Sequence, residues 1–245
     1  MTDRDKFDPD LNPVLELASA DQLEPILEYL ARSNTYDLDK HPRYVANYPD
    51  HCSYADLIAS ELREMGGHSL ANYWRSSGPT YREVVGDIAS RIDISVAKEA
   101  TVPELEEAIL VKTLEKTLDG MSPDEMRALV ESAQISGSEF KGQITATALM
   151  TLYRAGGIYS WRLAIALVNV FTTVTAGSVL TLFGAVTLGR ALASVTGPVG
   201  WTALAAWTAY DLAGPAYRIT HVAVLYVAVL RRALSEPYLQ ELREA

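Results

Sequence analysis

The run LAIALVNVFTTVTAGSVLTLFGAVTLG, residues 163–189, holds 27 residues without a formal charge between Arg162 and Arg190. About 20 apolar residues suffice to cross the hydrocarbon core of a bilayer, so the run is long enough to span one with some tilt. Helices in globular domains usually keep a polar face, which this run lacks in charged form. It is not apolar throughout. Asn169, Thr173, Gly177, Thr181, Gly184 and Thr187 fall roughly along one helical face. A small, polar stripe of this kind suits helix–helix contact or a water-filled lumen better than lipid. Downstream, Gly197-Pro198-Val199-Gly200 is a strong break signal. Trp201 to Leu230 is again mostly apolar, contains Asp211, Arg218 and His221, and is closed by Arg231-Arg232. The expectation is a transmembrane helical hairpin over 161–232. Arg154, Arg162, Arg231 and Arg232 flank its open end and only Arg190 lies toward the turn, which places both termini in the cytosol. The competing expectation is a soluble α-bundle whose interior these helices fill.

Working outward, the 245 residues are 49% hydrophobic and 21% charged, which excludes wholesale disorder. A single cysteine, Cys52, excludes an internal disulfide framework and a multi-cysteine zinc site. The start MTDRDKFDPD has no apolar segment of the secretory type. Charge is unevenly spread. Residues 1–140 hold 13 Lys+Arg and 27 Asp+Glu, a balance of 13 − 27 = −14; residues 141–245 hold 8 and 4, a balance of 8 − 4 = +4. The two parts are expected to face different surroundings.

The acidic part reads as helical. Ser19-Ala-Asp-Gln22, Thr80-Tyr-Arg-Glu83, Thr101-Val-Pro-Glu104 and Ser122-Pro-Asp-Glu125 fit the capping box, in which a hydroxyl accepts from the N3 amide and the N3 side chain reaches back to the cap amide. Pro103 and Pro123 sit where a first turn tolerates proline. Apolar residues then recur three and four apart: Val84, Ile88 and Ile92; Leu105, Ile109, Leu110 and Leu114; Met126, Leu129 and Val130. Five to seven short helices are expected, with residues 35–50 as a loop or irregular arm. The whole is an all-α chain, expected to oligomerise: a cytosolic helical domain over 1–140, a connecting helix over 141–160, the hairpin over 161–232 and a tail over 233–245.

One block is distinctive: Leu57-Ile58-Ala59-Ser60-Glu61-Leu62, Gly66-Gly67-His68-Ser69-Leu70-Ala71-Asn72, Arg75, Gly78, Tyr81-Arg82 and Asp87-Ile88. It resembles the YaaW-like proteins, a family that carries a ubiquinol–cytochrome c chaperone label. Their pattern reads GEL-x-x-FGG-x-S-x-AN-x-x-R-x-x-G-x-x-YR. Here Met65 stands in place of the aromatic and Ser60 in place of the first glycine. Gly197-Pro198-Val199-Gly200, Ala216-Tyr217-Arg218-Ile219-Thr220 and Leu230-Arg231-Arg232 extend the resemblance to roughly residues 50–232. The architecture also resembles the membrane effector of Hailong-type antiphage systems. That likeness implies an ion channel gated by a cytosolic crown that binds a DNA oligomer made by a partner nucleotidyltransferase.

The candidate residues follow from these readings. Gly66-Gly67 is expected to end one helix, and His68, Ser69 and Asn72 to open the next, where free amides can hold a phosphate. A plain helix–turn–helix corner is the simpler alternative. Arg75 and Arg82 can pair with phosphate, and Tyr81 can stack on a base; surface ion pairing is the competing role of the arginines. Asn169, Thr173, Asp211 and Arg218 are expected to line a pore, with Asp211 or Arg218 forming a charged ring. His41, His51, His68 and His221 show no metal-ligand spacing, so no metal or cofactor is expected. No nucleophile-elbow, Walker A or dinucleotide fingerprint occurs, and no catalytic residue is assigned. The functional expectation is an oligomeric channel of the bacterial inner membrane, in contact with lipid and acting in antiphage defence. The rival is a membrane-associated chaperone or assembly factor without a pore.

Overall fold

A computed structural model describes residues 7–31, 36–66, 78–95, 99–140, 142–176 and 215–235. All regular structure among them is helical. The acidic part forms α1 (Asn12–Leu17), α2 (Ala20–Leu30), α3 (Pro42–Asn47), α4 (Ala55–Gly66), α5 (Tyr81–Arg91), α6 (Val102–Asp119) and α7 (Pro123–Ser132). The remainder forms α8 (Ala146–Arg154), α9 (Gly157–Ala176) and α10 (Pro215–Ser235). Residues 141–160 contain α8 and the start of α9. The arm expected to be irregular carries a 3-10 turn, Leu38–Lys40, and the six-residue α3.

All four capping boxes set helix starts. At Thr101 the Glu104 carboxylate accepts from the cap amide at 2.7 Å and the cap hydroxyl accepts from the Glu104 amide at 3.4 Å. These bonds hold the Glu104 carboxyl below its ordinary range. Thr80 with Glu83, Ser122 with Glu125 and Ser19 with Gln22 repeat the arrangement.

The helices pack around α10. It touches α1, α2, α4, α5, α6 and α9, so the acidic part wraps the carboxy-terminal apolar helix. Thr220 to Leu230 are buried in an unbroken run, as are Leu163 to Thr172 of α9. A helix apolar on every side belongs in a large protein core or a membrane; the described lengths of both helices occupy a core. Leu15, Leu23, Ile58, Ile88, Ile109, Leu167 and Leu225 all belong to one apolar cluster.

The charge division does not coincide with a gap in packing among the described residues. The described helices of 161–232 do not form a body apart from 7–140, because the apolar faces of α2, α4, α5 and α6 are spent on α10. Among the described residues no helix is long and apolar enough to cross a membrane.

α9 and α10 run antiparallel. Phe171, late in α9, lies against His221, early in α10, with ring centroids 4.7 Å apart. At the other end the Arg232 guanidinium sits 5.6 Å from the ring centroid of Tyr153, just before α9. Ala176 and Pro215 thus lie at the same end of the body.

Candidate functional site

Of the expected ligand residues, Tyr81 and Arg82 are described. His68, Ser69, Asn72 and Arg75 lie outside the described residues, as does Asp211. Tyr81 is fully buried, so its ring has no face on which a base could stack. Its amide donates to Asp8 Oδ2 at 2.7 Å and its hydroxyl to Glu106 Oε1 at 2.9 Å. Arg82 is a surface residue whose Nη2 donates to the Ala100 carbonyl at 2.5 Å. Gly66 closes α4, and a Cβ there would stand 2.6 Å from Val84 Cγ2. Glycine is needed at that point for the close approach of α5.

Three of the expected pore residues are described, Asn169 and Thr173 in α9 and Arg218 in α10. Asn169 is fully buried in α9, and neither its Oδ1 nor its Nδ2 has a hydrogen-bond partner. Thr173 is half-buried, its hydroxyl returned to the Asn169 carbonyl at 2.8 Å. Arg218 is half-buried near α2, where Tyr29 donates to its carbonyl at 3.5 Å and its Nε is buried without a partner. An orphaned amide in an apolar core costs roughly 1–3 kcal/mol. Asn169→Leu is therefore expected to raise the thermal midpoint by several degrees, since about 1 kcal/mol moves a domain of this size by 2–4 °C. A lowered midpoint in a calorimetric scan would show that the amide is satisfied in solution.

The structure brings together a different set. Glu106 on α6 is buried and accepts three bonds: from Arg231 Nε at 2.7 Å, from Arg231 Nη2 at 3.1 Å and from the Tyr81 hydroxyl. Arg231 Nη2 also donates to the Asp10 carbonyl at 2.6 Å. Asp8 completes the network through the Tyr81 amide, while its own amide donates to Asn12 Oδ1 at 2.9 Å. The segment before α1, the start of α5, the first turns of α6 and the end of α10 are tied by one buried polar knot. Burial pushes the Glu106 carboxyl above its ordinary range, against the pull of Arg231 and the Tyr81 hydroxyl. Burial and the neighbouring carboxylate push the Tyr81 phenol well up. This arrangement can hold α10 in register; it presents no nucleophile or acid to solvent.

A second polar contact crosses the core. The His221 Nε2 and the Thr113 hydroxyl of α6 lie 3.0 Å apart, both fully buried. Burial lowers the His221 pKa to about 3, so the imidazole is neutral. A third cluster lies under the arm, where the buried His51 bridges the Tyr54 hydroxyl and the Glu24 carboxylate. Tyr44 packs on Tyr54 and Tyr48.

The knot has a sequence signature of a kind. Glu106 shares the helical face of Val102, Ile109 and Thr113, all buried, and a carboxylate on an apolar face demands a partner. Arg231 reads naturally as the end of a span, which conceals its role.

Comparison with known proteins finds relatives over most of the chain. A UPF0174 protein of Helicobacter pylori (strain J99) is 32% identical over 233 residues, covering 92% of each chain. A second from the same strain is 33% identical over 190 residues, covering 76% of this chain and 91% of that protein. The UPF0174 protein YaaW of Escherichia coli (strain K12) is 32% identical over 182 residues, covering 73% of this chain and 71% of that protein. No family model matches the chain. No solved structure matches it either.

Proposed function

This chain belongs to the UPF0174 family, which includes YaaW, and from that premise we propose that it is a membrane effector whose helical body carries an apolar hairpin. The observation that supports this reading is the antiparallel pairing of α9 and α10. It hands the chain to residues 177–214 and takes it back at one end of the body. Those residues, which lie outside the described ones, carry Arg190 and Asp211 as their only formal charges. The stretch exceeds the roughly 20 residues that one crossing needs.

One such excursion is too thin to enclose water. A pore therefore requires several copies, and closed cyclic symmetry is the natural arrangement. Gating requires a ligand that binds the open and closed assemblies unequally. In this reading the ligand is a single-stranded DNA oligomer from a partner nucleotidyltransferase, and the setting is antiphage defence at the bacterial inner membrane, both termini cytosolic. No step of it calls for catalysis or a cofactor.

The test is reconstitution of the full chain in potassium-loaded vesicles of bacterial lipid. The channel reading expects the protein to float with the vesicles and to release potassium. A membrane-associated chaperone or assembly factor, which the acidic body suits equally well, would float and release nothing. Protein left entirely in the aqueous fraction would remove both readings.

A further inference from the structure

Among the described residues the exposed large apolar side chains are Phe7, Leu17, Val45 and Tyr48. Leu17, Val45 and Tyr48 gather around the arm, at 71%, 68% and 54% exposure. The arm lies against the end of α1 and along α2. Cys52 Sγ is 3.5 Å from the carbonyl of Ala18, the residue after Leu17. His51 bonds to Glu24 of α2, and the Tyr48 ring stands 5.8 Å from the His51 ring and 5.5 Å from that of Tyr44. Apolar side chains scattered singly need no explanation, but a group of them rimmed by polar residues marks an interaction site.

The rim of this face says what it takes. Residues 7–31 carry Asp8, Asp10, Glu16, Asp21, Glu24 and Glu28 and neither Lys nor Arg. The side of α2 left to water is acidic: Asp21 and Glu28 are exposed, the Glu24 side chain is 40% exposed, and spacings of three and four put them in one row. Glu16, near the end of α1, is exposed as well. The cations of the arm do not balance this. Arg43 is tied to Asp56 at 2.6 and 3.0 Å and to the Ser53 carbonyl at 2.8 Å. Lys40 stands against Asp37, Asp39 and Asp50. We propose that this face docks a cationic amphipathic helix of a partner protein. Its apolar side rests on Leu17, Val45 and Tyr48, and its basic residues pair with Asp21 and Glu28. The exposed Tyr48 ring offers a further cation its face.

Asp21 and Glu28 are separated by about 10 Å along α2, so a partner helix of roughly 16–22 Å, three or four turns, covers the acidic row and reaches past it. A contact of this size is at the small end for protein interfaces, so the complex is weak and sensitive to salt. The docking does not rest on the membrane reading.

The probe is the amphipathic peptide KLAKLAKKLAKLAK carrying a fluorescent label. It is titrated with the purified full chain in non-ionic detergent and read by anisotropy against detergent alone. Hexalysine, with the same side-chain charge and no apolar face, is the comparison arm. Saturable binding of the amphipathic peptide is expected, about tenfold or more tighter than that of hexalysine. Asp21→Asn/Glu28→Gln and Leu17→Ser/Val45→Ser should each weaken it about fivefold or more. Asp119→Asn/Glu131→Gln removes the same charge from α6 and α7 and should change it less than about twofold. Each of these positions is exposed, so every variant should keep the parent's circular dichroism spectrum. No saturable binding would overturn the proposal. So would hexalysine binding as tightly, or equal losses from the α2 pair and the control pair. Sedimentation tests the other occupant: self-association of the parent that Leu17→Ser/Val45→Ser abolishes would give the face to a second copy and overturn the partner. Peptide binding without vesicle flux would overturn the channel and leave this face; flux without binding would do the reverse.

Discussion

Replacing Glu106 by leucine is expected to cost about 3–5 kcal/mol of folding stability, because it strands a partly buried guanidinium without its counter-charge. Arg231 loses two of its three hydrogen bonds, and the buried Tyr81 hydroxyl loses its acceptor. Against a typical total of about 5–15 kcal/mol, that is a large fraction of the whole. The thermal midpoint should fall by roughly 10 °C or more. Removing the partner as well should repair the damage. In Glu106→Leu/Arg231→Met/Tyr81→Phe every orphaned group is gone, and apolar replacement of a buried ion pair is often neutral or stabilising. The triple variant is expected to return within about 1–2 kcal/mol of the parent in urea titrations. A single-variant cost below about 1 kcal/mol would place the pair among weak surface contacts and remove its role in holding α10.

The knot also shows what a sequence can and cannot reveal. The starts of α2, α5, α6 and α7 were legible because a capping box is written within four residues, and all four boxes are present. The all-helical class followed from the same local signals. The surroundings of α9 and α10 were not legible. A length rule asks only whether a segment is apolar enough for a medium without water, and a protein core answers as well as lipid does. What decides between them is whether other helices have apolar faces left to cover the segment, a non-local property. Here Ile58, Ile88 and Ile109 come from three helices of the acidic part and join the cluster that holds Val222 and Leu225. Arg231 illustrates the same limit: its partner stands 125 residues away. Gly66 ends α4 by position, yet its physical requirement is the side chain of Val84. Tyr81, placed by pattern beside candidate phosphate ligands, belongs to the knot instead.

The second large effect expected is a loss of stability in mild acid that is carried by one imidazole. His221 is fully buried among Phe171, Thr113 and the apolar residues of α10, and burial lowers its pKa to about 3. In the unfolded chain it titrates near 6.5. Above that value the side chain is neutral in both states and its contribution to stability is complete. As pH falls, the unfolded chain takes up a proton that the folded chain refuses, so stability drops by about 1.4 kcal/mol per pH unit. The loss should reach about 2 kcal/mol at pH 5 and about 4–5 kcal/mol by pH 3. Glu106 works the other way: a carboxyl pushed up by burial contributes stability that is lost as pH rises through its folded value, so it cannot cause a deficit in acid. Glu104, held low by its cap, does lose its contribution in acid, but only below its unfolded value of 4.5. Across pH 7.5 to pH 5 those carboxyls, like the other histidines, are common to the parent and any His221 variant. Comparison with His221→Gln, which keeps a donor for Thr113 and has no charge to gain, isolates this one. The parent's urea midpoint is expected to fall more steeply across that window than the variant's, by the equivalent of about 2 kcal/mol. Parallel decline in the two proteins would mean that His221 takes its proton while folded, and that water reaches the seam between α6 and α10.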